Sequence, residues 1–104
     1  MWKMKPHAEG ADGATNAAKV KALLDSCRDL VPGMLAWEVA LAQPGLEATY
    51  DVVLYSVFAD AAALDAYQNH PTHVAMKGFI GAVRAERQCF DWRSETTKQT
   101  GTVA

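Results

Sequence analysis

The sequence predicts an α+β fold of the ferredoxin-like kind, with elements in the order βαββαβ. Three observations predict it. An amphipathic helical stripe follows a short strand-like opening. Two strand-like stretches, "MLAWEVALA" and "YDVVLYSVF", are then separated by a turn-rich loop. A helix broken at Pro71 and an alternating stretch, "ERQCFDWR", close the order. A split βαβ arrangement of this kind places both helices on one face of a four-stranded sheet.

Each element has a local reason. "MWKMK" resembles the end of a strand, and "PHAEGADGATN" after it is rich in Gly and polar residues, as loops are. His7 is expected to be an exposed loop histidine. From Thr15, the residues Val20, Leu23, Leu24, Cys27, Leu30 and Val31 recur at spacings of three and four, giving one apolar stripe. Thr15 or Asn16 is expected to cap this helix, because a short polar side chain can accept a free backbone N–H. Pro32 and Gly33 stop it.

Met34 to Ala42 is expected to be a strand, with Leu35, Trp37, Val39 and Leu41 on one face. Tyr50 to Phe58 is dense in β-branched and aromatic residues, which favour a pleated surface. Asp60 is placed to cap the helix "AAALDAYQNH" that follows, and Pro71 interrupts that run. "THVAMKGFIGAVR" resumes it with Val74, Met76, Phe79, Ile80 and Val83. In "ERQCFDWR", Gln88, Phe90 and Trp92 share one face, and Arg87, Cys89, Asp91 and Arg93 the other. The division expected is one domain over residues 1–93 and a polar, mobile tail over 94–104.

Composition sets further bounds. The chain has 104 residues, 50% of them hydrophobic, which suits one modest core. The net charge is -2 without a Lys/Arg cluster, which argues against nucleic acid as a partner. No apolar run is long enough to span a bilayer, and no leader pattern stands at the start. A cytoplasmic protein with no membrane partner is the default expectation. Cys27 and Cys89 lack CxxC spacing and are expected to be buried free thiols.

The second face of the sheet poses a physical problem. Val52, Leu54, Ser56 and Phe58 alternate with Asp51, Val53, Tyr55 and Val57, and neither set is polar. Helices cover only one face, so the other leaves an apolar patch in water. Burying each such side chain contributes roughly 1.5–3 kcal/mol. A homodimer, sheet facing sheet about a two-fold axis, is therefore expected. The alternative is a monomer whose sheet face encloses a ligand.

With "VPGM", "YDVVLYSVF" and "ALDAYQNHPTHVAMKGFI" in view, the chain resembles the stress-responsive A/B-barrel domain family from Met1 to Trp92. The Y-x-x-H-P-x-H pattern is its most specific mark. The resemblance implies a dimeric α+β barrel with an apolar small-molecule pocket and no cofactor. Family members usually open with a full strand, whereas only "MWKMK" stands here. A pocket histidine supplied by that strand in relatives has no counterpart in this chain.

A plant member similar in this motif is a polyketide cyclase that closes a linear poly-β-keto chain by aldol condensation. The resemblance implies Tyr67 and His73 as its catalytic pair. The chemistry is coherent. A neutral imidazole, with a pKa of roughly 6.5 in model peptides, suits removal of an acidic proton beside a carbonyl. A phenol suits stabilisation of the enolate. His70, Tyr55 and Trp37 are pocket or structural candidates.

The competing reading makes the same stretch a corner. The residue before Pro71 is pushed out of helical geometry, so His70 can cap the preceding helix. His73 can bond backbone in the next helix, and Tyr67 can be core. A metal at His70 and His73, joined by Asp51 or Asp91, is disfavoured by the proline, and none is expected. The two functional readings differ in one observable. A cavity open beside Tyr67 and His73 favours an enzyme, and a packed interior favours a scaffold or generic binder.

Overall fold

A computed structural model describes residues 1–104. Its strands and helices are, in chain order, β1 (Trp2–Met4), β2 (His7–Ala8), β3 (Ala11–Asp12), α1 (Gly13–Asp25), β4 (Met34–Leu41) and β5 (Val52–Phe58). They continue with α2 (Ala61–Gln68), α3 (Pro71–Val83), β6 (Arg84–Arg87), β7 (Phe90–Arg93) and β8 (Thr100–Val103). The expected βαββαβ order is present as β1, α1, β4, β5, α2 with α3, and β6. The sheet is antiparallel, with β4 beside β5, β5 beside β1, and β1 beside β6. This is the ferredoxin-like arrangement.

The tail departs from expectation. Instead of a mobile segment after Arg93, the chain turns back as β8. Thr100, Gly101, Thr102 and Val103 pair with Phe58, Val57, Ser56 and Tyr55. On the same edge of β5, Trp2 of β1 pairs with Val52. The two short strands therefore lie end to end, and β8 covers the part of β5 that β1 does not reach. On the outer side, β7 pairs with β8 as β6 pairs with β1. A polar sequence takes this central place because its backbone groups, rather than its side chains, satisfy the open edge of β5.

Caps and turns refine the other elements. Asp12, not Thr15 or Asn16, caps α1, accepting the Thr15 N–H at 2.8 Å. Asn16 is fully buried instead, and its amide donates to the Ala8 carbonyl at 2.9 Å, tying the small β2–β3 hairpin to the helix. The helix ends at Asp25, earlier than the apolar stripe implied. Cys27 and Leu30 belong to the following turns, where Asp29 takes a positive φ of 58°. A bulge between Met34 and Ala36 removes Leu35 from the inner face of β4 and leaves it 53% exposed. Asp60 caps α2 as expected, accepting from Ala63 N–H at 2.9 Å.

The helices bury one face of the sheet. Phe58, Leu24, Val20, Val52 and Val83 form its fully buried centre. Cys27 is buried there too, but Cys89 is exposed. It falls in the short connection between β6 and β7, outside the core beneath the helices. On the opposite face, register aligns Val53, Tyr55 and Val57 with Ala40, Glu38 and Ala36 on one side. It aligns Tyr55 with Val103 and Phe90, and Val57 with Gly101 and Trp92, on the other. Tyr55 is 43% exposed and Phe90 69%. The unpolar second face anticipated from alternation is thus real and open.

Candidate functional site

A cavity of about 540 Å³ lies between α2 and α3 and the helix-facing side of the sheet. Trp2, Leu24, Leu54, Leu64, Met76 and Ile80 give it an apolar floor. Tyr67 and His73 are both in its wall. That volume is within the range of small-molecule sites.

The corner at Pro71 creates the pair. Tyr67 is in the last turn of α2, and α3 starts at Pro71, where a missing N–H costs nothing. His70 caps this second helix, not the preceding one. Its Nδ1 accepts the Thr72 N–H at 3.1 Å. The ring of His73 then packs on Tyr67, with centroids 4.5 Å apart. His73 Nδ1 stands 2.9 Å from the Gln68 carbonyl. A carbonyl only accepts, so Nδ1 carries the proton and Nε2 keeps the free lone pair in the neutral ring.

Electrostatics favours that neutral form. Burial lowers the His73 pKa from its ordinary value, and the charges of Lys77 and Arg87 lower it further, against the opposing bond to Gln68. Tyr67 is 4% exposed and packs edge-on to Trp37 at 5.2 Å. Burial pushes its phenol pKa up, with the adjacent Cys27 thiol adding to the shift. The hydroxyl therefore stays protonated and able to donate. The pair thus sets a neutral imidazole beside a protonated phenol, in a cavity with an apolar floor and several charged residues in its wall.

The other candidates are placed elsewhere. Trp37 is a core residue whose indole N–H donates to the Leu24 carbonyl at 3.1 Å. Tyr55 lies on the open face of the sheet, and His70 serves the cap. Asp51 accepts from the Met4 N–H at 2.7 Å, and Asp91 from the Thr102 hydroxyl. Neither joins the histidines, and no three His, Cys, Asp or Glu side chains converge.

Sequence reasoning missed several cavity residues: Arg84, Arg87, Asp91, Thr102 and Ala104. The alternation in "ERQCFDWR" did separate Arg87 and Asp91 from the aromatic face. Nothing in the pattern signalled that a polar tail would bring Thr102 and Ala104 to the wall.

The family model of the Stress responsive A/B Barrel Domain matches residues 1–94. No curated protein matches the chain. Among solved structures, the chain is similar to a dimeric protein of unknown function and ferredoxin-like fold from Bacteroides fragilis. The identity is 22%, over 88% of this chain and 87% of that one, with a TM-score of 0.69. At that identity the likeness speaks for the fold. No helix is long and apolar enough to cross a membrane.

Proposed function

Since the chain belongs to the stress-responsive A/B barrel domain family, we propose that it is a homodimer holding an apolar or aromatic small molecule in each subunit's cavity. The two sheets pack open face to open face. Exposed Tyr55, Phe90 and Trp92 support this, because a monomer would leave them in water. The related Bacteroides fragilis protein is itself dimeric. The observation that carries the ligand is the cavity of about 540 Å³ with its apolar floor. The reading invokes no cofactor, metal, nucleic acid or membrane.

Its test is an NMR titration of the histidine ring signals with a panel of aromatic and poly-keto compounds. His73→Ala assigns the relevant signal. Saturable shifts of His73 with one compound class are expected. A silent His73 across the panel would remove the ligand pocket from the reading.

The opening of that cavity beside both Tyr67 and His73 favours a second reading, a cofactor-independent cyclase-like enzyme. His73 Nε2 takes a proton from the carbon between two carbonyls. The Tyr67 hydroxyl donates a hydrogen bond to the enolate oxygen. The enolate carbon attacks a second carbonyl of the same chain, and the new alkoxide recovers the proton from His73. Turnover of a linear poly-β-keto thioester, abolished in His73→Gln and reduced in Tyr67→Phe, is the expected result. Equal turnover in wild type and both variants would exclude it.

A further inference from the structure

Strand β6 presents its charged residues to the cavity, and a bulge is the reason. Trp2 stands opposite Arg87, Lys3 opposite Glu86, and Met4 opposite Arg84, with a register shift between Lys3 and Met4. Two residues three apart in a regular strand point to opposite faces. The extra residue, Ala85, restores Arg84 to the face of Arg87. Trp2 and Met4, their register partners, are both buried against the helices. Bulges commonly re-aim a side chain beside a site.

Lys77 of α3 joins these two arginines in the cavity wall. None of the three takes part in an ion pair, the chain's one salt bridge being Lys21 with Asp25. The carboxylates of the same wall are already engaged. Asp91 accepts from Thr102, and Asp65 accepts from the Asn69 amide at 3.1 Å. Three cations without partners thus border an apolar floor in a chain whose net charge is -2. An arrangement of unpaired guanidinium forks beside a hydrophobic well suits an oxyanion attached to an apolar body.

We infer that the cavity selects a small amphipathic carboxylate, with Arg84 and Arg87 taking the head group and the floor between Leu54 and Met76 taking the alkyl or aromatic body. This rests on the small-molecule reading above and adds the charge of the ligand to it. Lys77 contributes long-range attraction at the rim. The bulge at Ala85 is the specificity element, since a regular strand would turn Arg84 away from the cavity.

The test uses matched pairs: 1-naphthoate against 1-naphthamide, and decanoate against decanol. Calorimetry supplies affinities, and the His73 ring signal reports occupancy. The wild type should prefer each acid by about tenfold or more, the scale of charged hydrogen bonds. Arg84→Gln with Arg87→Gln should reduce that preference to about twofold, the acid losing more affinity than its neutral partner. Thermal unfolding of the double variant checks that it folds. A misfolded double variant is replaced by Arg84→Lys with Arg87→Lys, which should keep attraction but lose part of the acid preference. Equal binding of acid and neutral partner in the wild type would overturn the inference and leave the apolar pocket standing. Binding of neither would overturn the pocket with it.

Discussion

Ala104 and Leu54 exchange both of their backbone hydrogen bonds: Leu54 N–H donates to the Ala104 carbonyl at 2.7 Å, and Ala104 N–H donates to the Leu54 carbonyl at 2.9 Å. Two residues earlier in β5, Val52 faces Trp2 of β1. The last residues of the chain are therefore in line with the first strand. They complete the inner sheet and place Thr102 and Ala104 in the cavity wall.

Removing residues 99–104 should consequently do more than trim a tail. It strips the partner from half of β5 and opens the cavity on that side. Each lost backbone bond is worth about 1 kcal/mol net, so the truncation should cost more than about 2 kcal/mol. Chemical denaturation of the full and truncated chains would measure it. An unchanged midpoint would mean that β8 contributes nothing to stability.

Gly101 has a different role in the same strand. A Cβ built there would collide with the Trp92 indole, so that ring rests directly on the glycine. Gly101→Val should push Trp92 off the sheet, at roughly 1–3 kcal/mol of overpacking cost. Because Trp92 and Phe90 lie 6.1 Å apart on the face proposed to dimerise, the substitution should also weaken association. Sedimentation equilibrium and tryptophan fluorescence would report the two effects separately. A dimer of undiminished affinity would place the interface elsewhere.

The legibility of these features follows from their range. Alternation in "YDVVLYSVF" and the Asp60 cap depend on neighbours in sequence, so both were readable. The Y-x-x-H-P-x-H corner was readable for the same reason, since Pro71 fixes where α3 begins. The partner of His70 was not, because either adjacent helix end could use its ring. Features that depend on pairing between distant segments were hidden. The bulge that turns Arg84 inward needs the register of β1 on β6. The ordering of Thr100–Val103 needs the unpaired edge of β5. Polarity marked that segment as a tail, whereas backbone pairing made it a strand.

Ser56 offers a test of the buried interior. It is fully buried on the helix-facing side of β5, and its hydroxyl has no hydrogen-bond partner. An unsatisfied buried hydroxyl is unfavourable by about 1–3 kcal/mol. Ser56→Ala removes it and leaves a void smaller than a water molecule. The variant should be more stable than wild type by up to about 1 kcal/mol, read as a higher Tm. A lower Tm would show that the hydroxyl is satisfied in solution.

His73 should impose a pH dependence whose direction follows from its surroundings. Its pKa in the fold lies below the ordinary value of 6.5, chiefly through burial and then through Lys77 and Arg87. The unfolded chain thus binds the proton more readily. The stability contributed by this residue is fully present above about 6.5 and is lost as pH falls through the folded pKa. His73→Gln, which keeps a neutral side chain with an N–H for the Gln68 carbonyl, should flatten the acid side of the stability profile. Arg87→Gln removes one repelling charge but not the burial, so the His73 pKa should rise only part of the way back. The cavity's other charges, on Asp65, Arg84 and Asp91, are unchanged in that comparison. NMR titration of the His73 ring in wild type and Arg87→Gln measures both values. A wild-type ring titrating above 6.5 would mean that it is protonated more readily than burial allows, and would remove the neutral base on which the cyclase-like reading depends.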